Sequence, residues 1–109
     1  MNSEVERLAS LVETTANFLS TVGEARWSTR LSGDAARIRA RDYYGLHHLL
    51  SAFGGMGSIS DLLLHPANGH DIRESEVEHV NGELRSLLNE VYELALKLSD
   101  EAESGNGSI

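Results

Sequence analysis

The chain has 109 residues, a formal net charge of −8 and no cysteine, and 40% of its residues are hydrophobic. This length is typical of one domain with a single core. The lack of cysteine excludes disulfides, zinc–thiolate sites and thiol nucleophiles. The N-terminal sequence MNSEVERLASLVETTANFL mixes acids into a polar-interrupted pattern, unlike a signal peptide or a membrane span, so we expect a cytoplasmic protein.

Charge is unevenly distributed along the chain. Residues 71–103 carry ten acids against three bases, a net charge of −7, whereas residues 24–42 carry five arginines and a net charge of +2. An acidic face repels phosphate backbones and attracts basic partners, so we do not expect nucleic-acid binding. The same acids could instead form a solvated helix surface. We expect the arginines to pair with acids of the terminal helices.

The first helix is predicted from a stripe of apolar residues at helical spacing. Ser3 and Glu6 are spaced as a capping box, and Gly23 is a suitable helix end. The stripe consists of Val5, Leu8, Val12, Leu19 and Val22, together with Thr15. It is suited to an intramolecular core or to pairing with a second copy of the chain.

A second and a third helix are predicted on either side of Gly33. Residues 24–32 form the second helix, and Asp34 is the expected N-cap of a third helix that runs to Gly54. Gly45 lies inside this third helix at a cost of roughly 1 kcal/mol relative to alanine. It either permits close contact with a neighbouring helix or breaks the segment in two.

The last helix is predicted from Glu83 to Glu103, and Asn81 or Ser75 are alternative starts. The segment Leu62–Leu64 before Pro66 is ambiguous between a short helix and an extended strand. The chain is therefore expected to be all-α, a small helical bundle of about four helices with a glycine-rich central corner. Residues 1–103 form a single helical domain in this prediction, and residues 104–109 form a flexible polar tail.

Residues 51–70, SAFGGMGSISDLLLHPANGH, place four glycines at the centre of the chain. A phosphate-binding loop needs a preceding strand and a lysine, and neither is predicted here. We interpret these residues as a structural turn in which glycines adopt left-handed conformations and the methionine enters the core. We call the turn the Gly-rich corner; it consists of Gly54, Gly55, Met56, Gly57 and Ser58.

Two histidines follow the Gly-rich corner and are weak candidates for a metal or small-ligand site. His65 and His70 flank a Pro-Ala-Asn-Gly turn, with Asp61 and Asp71 close in sequence. Imidazole and carboxylate groups bind divalent metals, but this spacing matches no established metal motif. The sequence also contains no recognisable catalytic constellation. We therefore predict neither a cofactor nor an enzymatic activity.

Three features of the central and C-terminal sequence can be compared with known families: GGMGSISDLLLHPANG, Asn81 and the pattern LRSLLNEVYELALKL. In these features the sequence resembles a family of small uncharacterised bacterial α-helical proteins, over roughly residues 40–98. Ser60 stands where an asparagine is expected. The resemblance implies a helical fold and a bacterial origin. Because small acidic proteins of this type are often considered immunity or accessory proteins, it also suggests such a role for this chain.

The leading functional hypothesis is a non-enzymatic acidic domain that docks a basic protein partner, such as a bacterial toxin. The alternatives are a structural homodimer and a ligand-binding or metal-binding domain centred on residues 65–70, which we call the histidine loop. Membrane association is not expected. The candidate contact residues for the partner are Asp61, Asp71, Glu76, Glu78, Glu83, Glu90 and Glu93.

Overall fold

Four α-helices dominate the structure, a computed structural model that describes residues 3–54 and 56–103. They are α1 (Ser3–Thr21), α2 (Ala25–Arg39), α3 (Tyr43–Leu50) and α4 (Val77–Glu103). Short 3₁₀ turns lie at Ile59–Asp61, Pro66–Asn68 and Glu74–Glu76, and the described residues form no strand. The predicted all-α bundle of about four helices is confirmed. Gly55 and the predicted tail, residues 104–109, lie outside the described residues.

One hydrophobic core joins all four helices. α1 packs against α2 and α4, and α3 packs against α2 and α4. The apolar stripe of α1 is buried within the chain itself, since Val5, Leu8, Val12 and Leu19 have no exposed surface. Full burial of each such side chain contributes about 1.5–3 kcal/mol. The stripe therefore serves the intramolecular core.

α2 does not end at Gly33, and the predicted boundary there is wrong. The helix continues to Arg39 because Leu31, Asp34 and Ile38 all lie on its buried face, so the inward stripe is uninterrupted. An exposed glycine costs only about 1 kcal/mol in a helix, which this packing outweighs. Asp34 is consequently not the N-cap of α3.

The break between α2 and α3 falls at Arg41, which has a φ of 65°. The N–H of Arg41 donates to the carbonyl of Ile38 at 3.0 Å, and the N–H of Asp42 donates to the carbonyl of Arg37 at 2.8 Å. This pair of bonds is a Schellman motif with an arginine in the position that glycine usually takes. Asp42 then caps α3, because its Oδ1 accepts from the N–H of Tyr44 at 3.1 Å.

The predicted roles of two other glycines agree with the structure. Gly23 ends α1 with a φ of +81°, and the N–H of Glu24 donates to the carbonyl of Leu19 at 2.9 Å. Gly45 permits close contact between helices, since a Cβ at this position would lie 2.5 Å from the Cβ of Arg37. The alternative, that Gly45 breaks its helix, is not observed, because α3 runs through it.

α4 begins at Val77, earlier than the predicted start at Glu83 and between the two alternative starts, Ser75 and Asn81. A 3₁₀ turn leads into the helix, and the N–H of Arg73 donates to Oε1 of Glu76 at 2.8 Å. The segment Leu62–Leu64, for which the sequence allows a short helix or a strand, forms neither. Across residues 3–54 and 56–103, no helix has both the length and the apolar character needed to cross a bilayer.

Candidate functional site

The Gly-rich corner is a turn built on left-handed glycines, as predicted, but its methionine lies outside the core. Gly54 and Gly57 have φ values of +81° and +77°. Met56 is 100% exposed, so the prediction that it enters the core is wrong. Ile59, which directly follows the corner, is buried instead, and its N–H donates to the carbonyl of Ala52 at 2.9 Å. The corner thus closes around an isoleucine.

The side chain of Ser58 does not cap the 3₁₀ turn that follows the corner. Its Oγ is buried and has no hydrogen-bond partner among the described residues. Asp61 stabilises the corner instead, because its Oδ2 accepts from the N–H of Gly57 at 3.1 Å. Asp61, one of the candidate contact residues for the partner, therefore forms a hydrogen bond within the protein.

His65 and His70 lie together, and both ring nitrogens of His70 and Nδ1 of His65 are engaged within the protein, whereas Nε2 of His65 lies 3.7 Å from Oε1 of Glu74. Nδ1 of the buried His70 accepts from the N–H of His65 at 3.0 Å, and its Nε2 lies 2.9 Å from Oε1 of Glu24. Since Nδ1 accepts, Nε2 carries an N–H that donates a hydrogen bond to Glu24. Nδ1 of His65 accepts from the N–H of Ala67 at 2.9 Å.

These bonds tie the histidine loop to the turn between α1 and α2. Glu24 also caps α2, since its Oε2 accepts from the N–H of Trp27 at 3.3 Å. Nearby, the N–H of Asp71 donates to the carbonyl of Val22 at 2.9 Å. A metal bound to either ring nitrogen of His70 would have to displace the hydrogen bond that this nitrogen forms. The described part of the chain contains no group of three or more metal-ligating side chains.

The acidic contact candidates divide into engaged and free carboxylates. Glu76 accepts from the backbone of Arg73, and Oε1 of Glu83 lies 2.7 Å from Nε2 of His79. Asp71 is exposed beside the histidine loop. Glu78, Glu90 and Glu93 are exposed on α4 and form no hydrogen bond or ion pair within the described residues. We define the acidic face of α4 as Glu78, Glu83, Glu90 and Glu93.

The acids of α1 are paired with bases, in contrast to those of α4. Glu6 contacts Arg39 at 3.5 Å and Arg41 at 3.1 Å, and Arg39 also contacts Glu13 at 3.6 Å. The Arg41 hydrogen bond, with help from Arg39, lowers the pKa of the Glu6 carboxyl. Glu4 pairs with Lys97 of α4 at 2.7 Å, and this contact raises the pKa of the lysine. Arginines of the α2–α3 region therefore neutralise α1.

A buried carboxylate that sequence reasoning missed lies between α2 and α3. Asp34 has no exposed surface, and its Oδ1 lies 2.6 Å from Nδ1 of His48 and 3.7 Å from the guanidinium of Arg37. Its Oδ2 is buried without a hydrogen-bond partner among the described residues. Burial raises the pKa of Asp34, although the hydrogen bond from His48 acts in the opposite direction.

The helical spacing could have revealed this carboxylate. Leu31, Asp34 and Ile38 follow one another at intervals of three and four, so an acid stands in the apolar stripe. The glycine before it instead suggested a helix cap. Around the pair, Tyr44 stacks on the ring of His48 with centroids 5.6 Å apart, and the guanidinium of Arg37 lies 5.5 Å from the ring of Tyr44. The cluster joins α3 to α2.

A cleft of about 340 Å³ lies where the Gly-rich corner meets α4. Its apolar walls include the rings of Phe53 and Tyr92, whose centroids are 5.0 Å apart. The guanidinium of Arg85 lines it, and Nη1 donates to the carbonyl of Ser60 at 3.4 Å. The cleft is lined by Phe53, Gly54, Ser60, Arg85, Leu88, Asn89 and Tyr92. The sequence indicated no binding role for the residues that α4 contributes.

The sequence was also compared with known proteins. No curated protein and no solved structure shows significant similarity to the chain. Residues 20–73 match the model of a family described as a domain of unknown function, DUF6966. The match includes α2, α3 and the Gly-rich corner and stops before α4, whereas the resemblance seen in the sequence extends to residue 98. The chain is thus similar to an uncharacterised family over this central region.

Proposed function

We propose that this protein is a non-enzymatic binding domain that docks a positively charged protein partner through the acidic face of α4. The observation that supports the proposal is the difference between the acids of the two long helices. Those of α1 are paired with Arg39, Arg41 and Lys97. Glu78, Glu90 and Glu93 of α4 are exposed and unpaired within the described residues.

The acidic face is large enough to guide an association. Residues 77–103 carry seven acids against Arg85 and Lys97, a net charge of −5. From Glu78 to Glu93 the helix rises roughly 22 Å, a large part of the width of a standard protein interface. Uncompensated charge of one sign steers an oppositely charged partner and raises its association rate. The expected partner therefore carries a positive patch of similar length.

The bacterial resemblance suggests a more specific form of this proposal, an immunity or accessory protein that masks a basic toxin in the cytoplasm. An acidic inhibitor can cover a cationic active site, and its complex weakens as salt screens the charges. The metal-binding alternative gains no support from the histidine loop, because both ring nitrogens of His70 and Nδ1 of His65 are engaged in internal hydrogen bonds. We therefore retain protein docking as the proposed function.

Site-specific photocrosslinking in cells tests the proposal. A benzophenone side chain at Ser86, between Glu83 and Glu90, should capture one basic protein. The same group at Ser10, on the exposed side of α1, is the matched control and should not capture it. Capture from Ser10 alone, or of an acidic protein from Ser86, would contradict docking at the acidic face.

The affinity for the captured protein then tests the charge mechanism. Ser86→Lys and Ser10→Lys add the same charge to an exposed helix position, one on the acidic face of α4 and one on α1. We expect Ser86→Lys to weaken binding by roughly tenfold and Ser10→Lys to change it by less than about twofold at low salt. Equal effects of the two lysines would show that only net charge matters.

A further inference from the structure

The cleft between the Gly-rich corner and α4 combines apolar walls with one cation. Leu88 lies at its base and is only 5% exposed, and Phe53 and Tyr92 form an aromatic pair beside it. A volume of about 340 Å³ is at the lower end of the range for small-molecule sites. The cleft is therefore sized for a small ligand or a single amino-acid side chain.

Arg85 is the charged group of this cleft, and it lacks an acidic partner. Its guanidinium makes one long hydrogen bond to the carbonyl of Ser60, and no carboxylate of the described residues lies within ion-pair distance. The chain has a net charge of −8, so an unpaired arginine on its most acidic helix is notable. A guanidinium with free N–H groups is well suited to a carboxylate, which it can bind in a bidentate manner.

The spacing of residues on α4 shows that this surface is separate from the core. Arg85, Asn89 and Tyr92 follow one another at intervals of four and three, so they lie on one exposed stripe beside the buried face. Of the acidic face, Glu78 lies on the same side as Arg85, about two turns before it, whereas the other three acids lie farther around the helix. Asn89 adds an amide that can donate to an oxygen atom or accept from an N–H. None of these three side chains is needed to fill the core.

We infer that this cleft binds a small carboxylate with an apolar, preferably aromatic, body. Arg85 would bind the carboxylate, Asn89 would supply a further polar contact, and Phe53, Leu88 and Tyr92 would surround the apolar part. Arg85 disfavours a cationic ligand, and one arginine among apolar walls fits a carboxylate better than a phosphate, which usually requires several donors. The inference goes beyond the proposed function and does not depend on it.

Protein-observed NMR with two matched probes tests this site. Titration with 3-phenylpropionate should cause saturable shifts of the backbone amides of Gly54, Asn89 and Tyr92, with a Kd on the order of 1 mM. The uncharged 3-phenylpropanamide has the same size and shape and should bind at least about tenfold more weakly. Equal binding of acid and amide, or the absence of saturable shifts, would overturn the inference.

Arginine variants identify the group that recognises the carboxylate. Arg85→Gln should remove the preference for the acid over the amide, whereas Arg73→Gln, which removes an arginine that is exposed outside the cleft, should preserve it. Tyr92→Ala should weaken both probes equally because it removes an apolar wall. Unchanged acid binding in Arg85→Gln would overturn the assignment, and far-UV circular dichroism checks that each variant is folded.

A free acid and the C-terminus of a polypeptide share this chemistry, and a second pair of probes separates the sources. Acetyl-Ala-Ala-Phe carries a free terminal carboxylate, and its amidated form does not. Tighter binding of the peptide than of 3-phenylpropionate assigns the cleft to a chain terminus, and weaker binding assigns it to a free small acid. A failure of the photocrosslinking at Ser86 would leave these results unaffected.

Discussion

At the scale of single residues, the most unusual feature is a carboxylate in the core of an otherwise apolar helix pair. Asp34 is fully buried and has one oxygen without a hydrogen-bond partner among the described residues. Burying an ionised carboxylate is costly, and the hydrogen bond from His48 offsets only part of that cost. The native protein therefore holds the proton of Asp34 more tightly than the unfolded chain does.

This raised pKa predicts the direction in which stability changes with pH. The ordinary pKa of an aspartate is 3.8, so above that value the unfolded chain releases a proton that the native Asp34 still holds. The free energy of unfolding should fall as pH rises through the native pKa. The Asp34→Asn variant cannot titrate at this position, so its free energy of unfolding should rise relative to that of the wild type over the same pH range. Urea unfolding at successive pH values measures the difference.

Two further variants make this test specific. When His48→Ala is introduced, the fall in the free energy of unfolding should extend to higher pH, because the hydrogen bond that lowers the pKa of Asp34 is absent. Glu6→Gln should behave oppositely, since Arg41 and Arg39 lower the pKa of Glu6 and stabilise the native state above the ordinary value of 4.5. The advantage of the wild type over Glu6→Gln should disappear in acid. Parallel curves for Asp34→Asn and Glu6→Gln would contradict both assignments.

At the scale of helices, the glycines separate into those that the packing requires and those that it tolerates. Gly45 is buried where α3 crosses α2, and an added Cβ would lie 2.5 Å from the Cβ of Arg37 and 3.1 Å from the backbone nitrogen of Ile38. Gly33 lies on the exposed side of α2, and a Cβ there would meet no atom within 4 Å. The same substitution should therefore have opposite effects at the two sites.

We expect Gly45→Ala to destabilise the protein by roughly 1–3 kcal/mol, because backbone atoms of α2 cannot move aside without disturbing the core. Gly33→Ala should instead stabilise it by up to about 1 kcal/mol, since alanine is the better helix former and the site is open. Chemical denaturation of the two single variants measures both changes. Destabilisation by Gly33→Ala would show that α2 is not a regular helix at this position.

The positions of the long helices could be predicted from their apolar periodicity, but their ends depended on tertiary contacts. The stripe of α1 and its end at Gly23 follow from local sequence. The end of α2 does not, because Arg41 adopts a left-handed conformation in which Glu6 of another helix contacts its side chain. For Asp34, the spacing of the apolar stripe indicates burial, but the partner of the carboxylate depends on α3, which supplies His48.

At the scale of the whole molecule, the non-helical segment before α4 is held to both halves of the bundle. His70 bonds to Glu24 at the start of α2, and Asn81 of α4 bonds to Leu64. Of these contacts, the sequence indicated only that the histidines and Asn81 were notable. It could not show that the Gly-rich corner closes on Ile59 or that Arg85 enters a cleft, because both depend on how distant segments meet.

The hydrogen bonds of Asn81 allow a direct test of how the segment before α4 is held in place. Its Oδ1 accepts from the N–H of Leu64 at 2.9 Å, and its Nδ2 donates to the carbonyls of Leu64 at 2.8 Å and Val77 at 2.7 Å. One amide thus satisfies both backbone groups of a buried residue that belongs to no helix or strand. Without it, these groups would be buried and unpaired, and each such loss costs about 1–3 kcal/mol.

Asn81→Ala should therefore lower the free energy of unfolding by roughly 2–4 kcal/mol and speed hydrogen exchange at the amide of Leu64. Asn17→Ala is the matched control, because it removes the same amide from an exposed position of α1 and should change stability by less than about 0.5 kcal/mol. Asn81→Asp should be destabilised as well, since a carboxylate would face the two carbonyls that now accept from Nδ2. If exchange at Leu64 stayed slow in Asn81→Ala, the segment would be held by the packing of Leu64 alone.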